Sequence, residues 1–135
     1  MYKASVKTFL LVLLLLSQSL FADNSLIVGE TSGEYFTVQI RQESHSPLSI
    51  NTFHRWQIKL LNLHGEFIED ADIKLTGGMP THNHGLPTSP KVTQYLGQGR
   101  YLIEGIKFHM QGDWLLNFVI RADGKEEKLS LNLHL

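Results

Sequence analysis

The chain has 135 residues, with 12 Lys and Arg against 13 Asp and Glu, and it contains no cysteine. Without cysteine, disulfides, thiolate metal ligands and a lipid-modified cysteine are all excluded. No run of basic residues is available to neutralise a series of phosphates, which argues against nucleic acid and against an anionic membrane surface as partners.

The N-terminal segment has the order of a secretory signal peptide. Lys3 and Lys7 precede the apolar run 9–16, and the polar residues Ser17, Gln18 and Ser19 follow ahead of Ala22. This order predicts a signal peptide, residues 1–22, that is cleaved after Ala22. The apolar run is too short for a bilayer core of about 30 Å. We therefore expect a periplasmic or secreted protein with one domain, residues 23–135, and no stable membrane span after cleavage.

Strand patterns follow along the rest of the chain. In EYFTVQI (34–40) and HRWQIKL (54–60) apolar and polar residues alternate with period 2, which is typical of half-buried strands. Turn residues separate five further runs of this kind. These runs are 71–75, 91–96, 100–108, 114–121 and 127–135. Segments 22–33 and 42–51 are polar and rich in Ser, Gly or Pro, and no strand is predicted in them.

No sustained helical pattern of apolar residues occurs after the signal peptide. The sequence therefore predicts an all-β protein. Seven or so short antiparallel strands favour an immunoglobulin-like β-sandwich, with Trp56 and Trp114 as core anchors. A small barrel is the alternative closure.

The segment GGMPTHNHGLPTSP (77–90) combines soft donors with turn residues. It contains Met79, His82 and His84, and no Asp or Glu occurs between Thr76 and Gln98. Calcium and magnesium need several oxygen ligands, whereas thioether and imidazole together favour copper. In an extended strand His82 and His84 would point to opposite faces, so both could bind one ion only if the backbone turns between them.

A second donor pair, His109 and Met110, ends a predicted strand just before a turn. Met110 shares its parity with Ile106 and Phe108, so a core methionine and a metal ligand are equally compatible with the pattern. His54 shares the parity of Trp56; a hydrogen-bonded histidine at the core rim is the first interpretation and a metal ligand the second. Three other histidines are expected at the surface, and they are His45, His64 and His134. Glu104 and Asp113 are candidate hydrogen-bond acceptors for a ligating imidazole.

The stretch from His54 to Trp114 resembles the YtkA-like family, whose members are also labelled FixH-like. The resemblance rests on HRW at 54–56, ADIKLTGGMPTHNHGLPTSPKV at 71–92 and GQGRYLIEGIKFHMQGDW at 97–114. It implies an immunoglobulin-like fold and a copper-handling role in the bacterial envelope. The residues that match the Met/His pattern of the family are Met79, His82, His84, His109 and Met110.

Two functions remain in competition. The first is a periplasmic copper-binding protein, a carrier or a tolerance factor, whose partners are the metal ion and a further envelope protein. The second is a module without metal, in which the proline-braced loop recognises a protein or a small ligand. We do not expect an enzyme, because no serine in a nucleophile-type turn accompanies the histidines.

Overall fold

A computed structural model describes residues 26–135, and these form nine strands and no helix. Within that range no helix is long and apolar enough to cross a membrane. The predicted signal peptide, residues 1–22, lies outside the described residues. The strands are β1 (Leu26–Ser32), β2 (Phe36–Gln42), β3 (Phe53–Asn62), β4 (Asp72–Met79), β5 (His84–Gly85), β6 (Lys91–Gly97), β7 (Arg100–Lys107), β8 (Asp113–Ala122) and β9 (Lys125–His134).

The strands build two antiparallel sheets that pack as a sandwich. One sheet has the order β1-β2-β3-β7-β6 and the other β5-β4-β8-β9. The predicted all-β fold is thus confirmed, although the described part has two more strands than the sequence pattern suggested. Strand β1 lies within segment 22–33, where the sequence pattern predicted no strand, and its pairing register shifts between Ile27 and Gly29. This irregularity disrupts the alternation by which a strand is recognised from sequence.

The core lies between the sheets and is made of the alternating residues that the sequence singled out. In β2 the side chains of Phe36, Val38 and Ile40 are buried, while the residues between them are half-buried on the outer face. Trp56 is 0% exposed and Trp114 1% exposed, which confirms both as core anchors. Large aromatic side chains contribute much of the buried apolar area in a domain of this size.

A buried carboxylate joins the two sheets at the end formed by the β1–β2 turn. Glu127 of β9 is 9% exposed. Its side chain accepts hydrogen bonds from the backbone N–H groups of Glu34, Tyr35 and Phe36, the latter two at 2.9 and 2.8 Å. Three charge-assisted bonds offset the cost of burying the charge and fix the turn.

Candidate metal centre

The segment 77–90 is not a simple loop, because its first half forms a tight hairpin. Strand β4 extends to Met79 and pairs with β5, with Met79 opposite His84 and Gly78 opposite Gly85. The N–H of His82 donates to the carbonyl oxygen of Met79 at 3.1 Å. Asn83 closes the turn with a φ of 52°, in the left-handed region that Asn enters more readily than most residues.

Cross-strand pairing decides which donors share a face. Residues directly opposite each other in an antiparallel pair project to the same face of the sheet. Met79 and His84 therefore lie on one face, and Met79 is 1% exposed within the core. His84 projects to the same face but is exposed. It therefore lies at the rim of the sandwich, whereas Met79 lies in its interior.

Three of the predicted histidines come together at this end. The rings of His82 and His84 are stacked, with centroids 6.5 Å apart and planes at 16°. The ring of His84 meets that of His109 edge to face, with centroids 5.9 Å apart and planes at 81°. The hairpin thus supplies the turn that the sequence analysis required between His82 and His84. His109 approaches from the connection between β7 and β8, which is distant in sequence.

His109 is held against the core by Trp114, which the strand pattern identified only as a core anchor. The ring of His109 packs edge to face on Trp114, with centroids 5.5 Å apart. The indole N–H of Trp114 donates to the carbonyl oxygen of Met110 at 3.0 Å. Trp114 therefore fixes both members of the His109–Met110 pair. The tryptophan was found through its strand pattern, but nothing in the sequence indicated this contact.

The Nδ1 atom of His109 is buried and has no hydrogen-bond partner. A buried polar atom without a partner costs about 1–3 kcal/mol, and such atoms occur where a water, an ion or a functional constraint accounts for them. Nδ1 is enclosed by protein, while the ring as a whole is half-buried and touches the exposed His84. One side of the His109 ring is therefore fixed by the protein, and the other side is accessible.

The two methionines differ in their surroundings. Met79 is enclosed, and an added Cβ at Gly112 would lie 2.9 Å from its terminal methyl group. Gly112 has a φ of 124° and so adopts a backbone conformation that L side chains rarely take. Met110 is half-buried and packs against the core. Glycine at 112 therefore leaves space for the thioether of Met79.

The separations of the histidine rings are near those of two imidazoles that bind one ion, but the three histidines do not form a complete metal site as they stand. Two imidazoles on one ion at metal–nitrogen distances near 2 Å have ring centroids about 4–6 Å apart. The separation of His84 and His109, 5.9 Å, falls within this range, and that of His82 and His84, 6.5 Å, lies just beyond it. Between residues 26 and 135 no group of three or more His, Cys, Asp or Glu side chains could hold a metal ion in the arrangement observed. Nitrogen and sulfur donors are of the chemical type that suits copper, and the exposed His82 would have to turn to complete the set.

The other predicted residues lie outside this cluster. His54 is 5% exposed, and its Nε2 lies 2.8 Å from the carbonyl oxygen of Ser49, as expected for a structural histidine at the core rim. His45, His64 and His134 are exposed, as predicted.

Of the two candidate acceptors, one is engaged elsewhere and one does contact an imidazole. Glu104 forms an ion pair with Arg55 at 2.9 Å. Asp113 lies 2.6 Å from Nδ1 of His134, with both side chains more than three-quarters exposed. Asp113 thus contacts a surface histidine in place of a member of the proposed ligand set.

A shallow groove of about 350 Å³ runs beside the hairpin. It is lined by residues 76–80 and 83–85, together with Leu115 and Asn117 of the neighbouring strand. His84 borders the groove as well as the ring cluster. The groove offers a surface on which a molecule could lie next to the histidines.

Comparison with known proteins identifies the family of the chain. The sequence profile described as YtkA-like matches residues 34–118. A search of curated proteins gives no match. Among solved structures, the chain is similar to the GAE domain of GGA2p from Saccharomyces cerevisiae, with a TM-score of 0.41 and 11% identity over 82% of this chain and 96% of that domain. A likeness at this level carries no functional information. The profile match covers well over half of the chain, and the chain therefore belongs to the YtkA-like family.

Proposed function

We propose that this protein binds and handles copper in the periplasm or outside the cell, as a carrier or a tolerance factor. The observation that carries the proposal is the cluster of His82, His84 and His109 at one end of the sandwich, with the buried thioether of Met79 on the same face as His84. Thioether sulfur and imidazole nitrogen are soft donors, and donors of this kind select copper over calcium or magnesium.

Each donor has a distinct part in the proposed site. Met79 and His109 are held rigidly by the core and by Trp114, so they lose little conformational entropy when they bind. His84 joins them from the hairpin. His82 is exposed on the outside and is the donor that can rotate, which suits a site that both receives and releases an ion. Met110 is a further thioether candidate. Copper bound there would be carried, and the proposed role needs no catalysis.

The test is a competition titration of the purified protein with Cu(I) against a chromophoric chelator under anaerobic conditions. We expect binding of about one copper ion per chain, as suits a single soft-donor cluster. The double variant His82→Ala, His84→Ala should lose this binding. Circular dichroism should be unchanged, because both side chains are exposed and contribute little to the core.

The matched control is the double variant His45→Ala, His64→Ala, which removes the same number of exposed histidines outside the cluster. It should bind copper like the original protein. Equal copper affinity in the cluster variant and the original protein would rule out the proposed ligands. Fractionation of expressing cells tests the proposed location separately.

The groove beside the hairpin supports the alternative, a binding module that acts without metal. It is bordered by Pro80 and by residues 83–85, so a partner could be recognised by the rigid hairpin itself. Protein stripped with a chelator would then retain full partner binding, and copper would associate only weakly with surface histidines. The copper proposal instead expects partner binding to depend on the metal.

A further inference from the structure

A small basic depression lies on the outer face of the five-stranded sheet, and no part of the proposed copper function uses it. It has a volume of about 120 Å³. Three strands contribute to its wall, and none of the lining residues is acidic. The lining residues are Gln39 and Arg41 of β2, Gln57 and Lys59 of β3, and Arg100 of β7. We call this depression the basic basin.

The pairing register places like charges next to each other in the basic basin. Lys59 lies directly opposite Arg100, and Arg41 lies two pairs further along, opposite Gln57 and on the same face. Like charges directly opposite each other in an antiparallel pair destabilise the sheet. All five lining residues are half-buried, so water screens this repulsion only in part. Residue pairs that lower the stability of a fold occur at functional sites, where the function maintains them.

The cationic groups are held in place by neighbours. The guanidinium group of Arg100 donates to the carbonyl oxygens of Gly97 and Leu96 at 3.2 and 3.3 Å. The ammonium group of Lys59 lies 4.9 Å from the centre of the Phe67 ring. These contacts reduce the entropy that the side chains would lose on binding a ligand.

Two nearby carboxylates are engaged with a different arginine, and a third, Glu30 of β1, lies opposite Gln39 in the pairing register. Glu43 and Glu104 both pair with Arg55, at 3.4 and 2.9 Å. Glu43 also accepts a bond from Nε2 of Gln57 at 3.2 Å, which orients that amide at the edge of the basin. None of these three acids lines the basin. The positive charges of Lys59 and Arg100 are therefore not matched by carboxylates within it.

We propose that the basic basin binds one phosphate-like oxyanion. Its volume equals that of about four water molecules, which suits a single tetrahedral oxyanion and is far below that of a drug-sized site. Guanidinium and ammonium groups are the donors that recognise such oxyanions. The same phosphate chemistry is available from free phosphate and from the headgroup of a phospholipid, and the experiment separates these sources.

The test is an NMR titration of the protein with inorganic phosphate at constant ionic strength. Saturable shifts should appear at the five lining residues and not at the histidine cluster. Lys59→Gln should weaken phosphate binding by about tenfold, because it removes one charge-assisted contact. Lys59→Arg should restore most of the affinity. Without phosphate, Lys59→Gln should unfold close to the temperature of the original protein, since relief of the repulsion with Arg100 offsets loss of the contact with the Phe67 ring.

The matched control is Lys74→Gln, which removes an exposed lysine from the other sheet and should leave phosphate binding unchanged. Vesicles containing phosphatidylglycerol provide the second arm, with phosphatidylcholine vesicles as the reference. Lys59-dependent binding of the anionic vesicles identifies the headgroup as the source, and shifts with free phosphate alone identify the solute. The proposal is overturned if neither arm responds, or if Lys74→Gln and Lys59→Gln have equal effects. Copper titrations of Lys59→Gln should match the original protein, so the two proposals fail independently.

Discussion

Replacing Met79 by leucine separates the packing role of this residue from its proposed role as a sulfur donor. Met79 is 1% exposed and belongs to the main core. Leucine has a similar volume and keeps the buried apolar surface, but it has no thioether. The substitution therefore removes the donor while leaving the hydrophobic contacts largely in place.

The two readouts should change by very different amounts. A volume-conserving swap in a core costs less than about 1.5 kcal/mol of stability, whereas Met79→Ala would cost about 2–5 kcal/mol by opening a cavity. For Cu(I), loss of a thioether ligand should weaken binding by about tenfold or more, as even the loss of supporting contacts around a metal does so. Cu(II) binding, which depends on the imidazoles, should change less because thioethers favour Cu(I).

The assay combines urea unfolding with anaerobic Cu(I) competition on Met79→Leu, and Met110→Leu is the matched variant. Met110 is half-buried against the same core, so its replacement tests the other thioether at similar structural cost. Unchanged Cu(I) affinity in Met79→Leu, with stability close to that of the original protein, would show that the sulfur of Met79 is not a ligand. Loss of affinity in Met110→Leu alone would assign the thioether role to that residue.

Further predictions concern the scaffold. Glu127→Gln should lower the free energy of unfolding by about 2–4 kcal/mol, because an amide cannot replace the carboxylate that accepts from residues 34–36; an unchanged urea midpoint would contradict this. Asn83→Gly should be tolerated, but Asn83→Ala should cost about 1 kcal/mol and weaken copper binding, since residue 83 has a φ of 52°. Equal stability and equal copper affinity in the two variants would show that the left-handed conformation of residue 83 does not strain the hairpin. Burial raises the pKa of Tyr101 to about 12. The unfolded chain loses this proton near pH 10, so stability should fall as pH rises from about 10 to about 12, and Tyr101→Phe should remove that contribution.

Sequence reasoning located the strands well where alternation was regular. The predicted runs 34–40 and 114–121 correspond to β2 (Phe36–Gln42) and β8 (Asp113–Ala122), in which burial alternates along the strand. Alternation failed as a guide where the pairing is irregular, as in β1, and where a strand has only two residues, as in β5. The glycines at 77 and 78 suggested a loop, yet they lie in β4, where the neighbouring strands approach closely.

The proposed copper ligands differ from the strands in this respect, because only part of the set followed from local sequence. The sequence around His82 and His84 predicted soft donors and a turn. The geometry of that turn depends on Asn83, which adopts the left-handed conformation. The proximity of His84 and His109 depends on the packing of the two sheets against each other. Parity alone left Met110 undecided between core and ligand, and the structure places it half-buried at the edge of the core.

The sequence by itself determined the class of fold, the core anchors and the chemical type of the donors, because periodicity and side-chain chemistry are local properties. Only the tertiary structure decided which distant side chains meet. The edge-to-face contact of His84 with His109 and the pairing of Lys59 with Arg100 both arise from strand order and register. Register follows from burial of the whole hydrophobic face, so no short stretch of sequence could specify it.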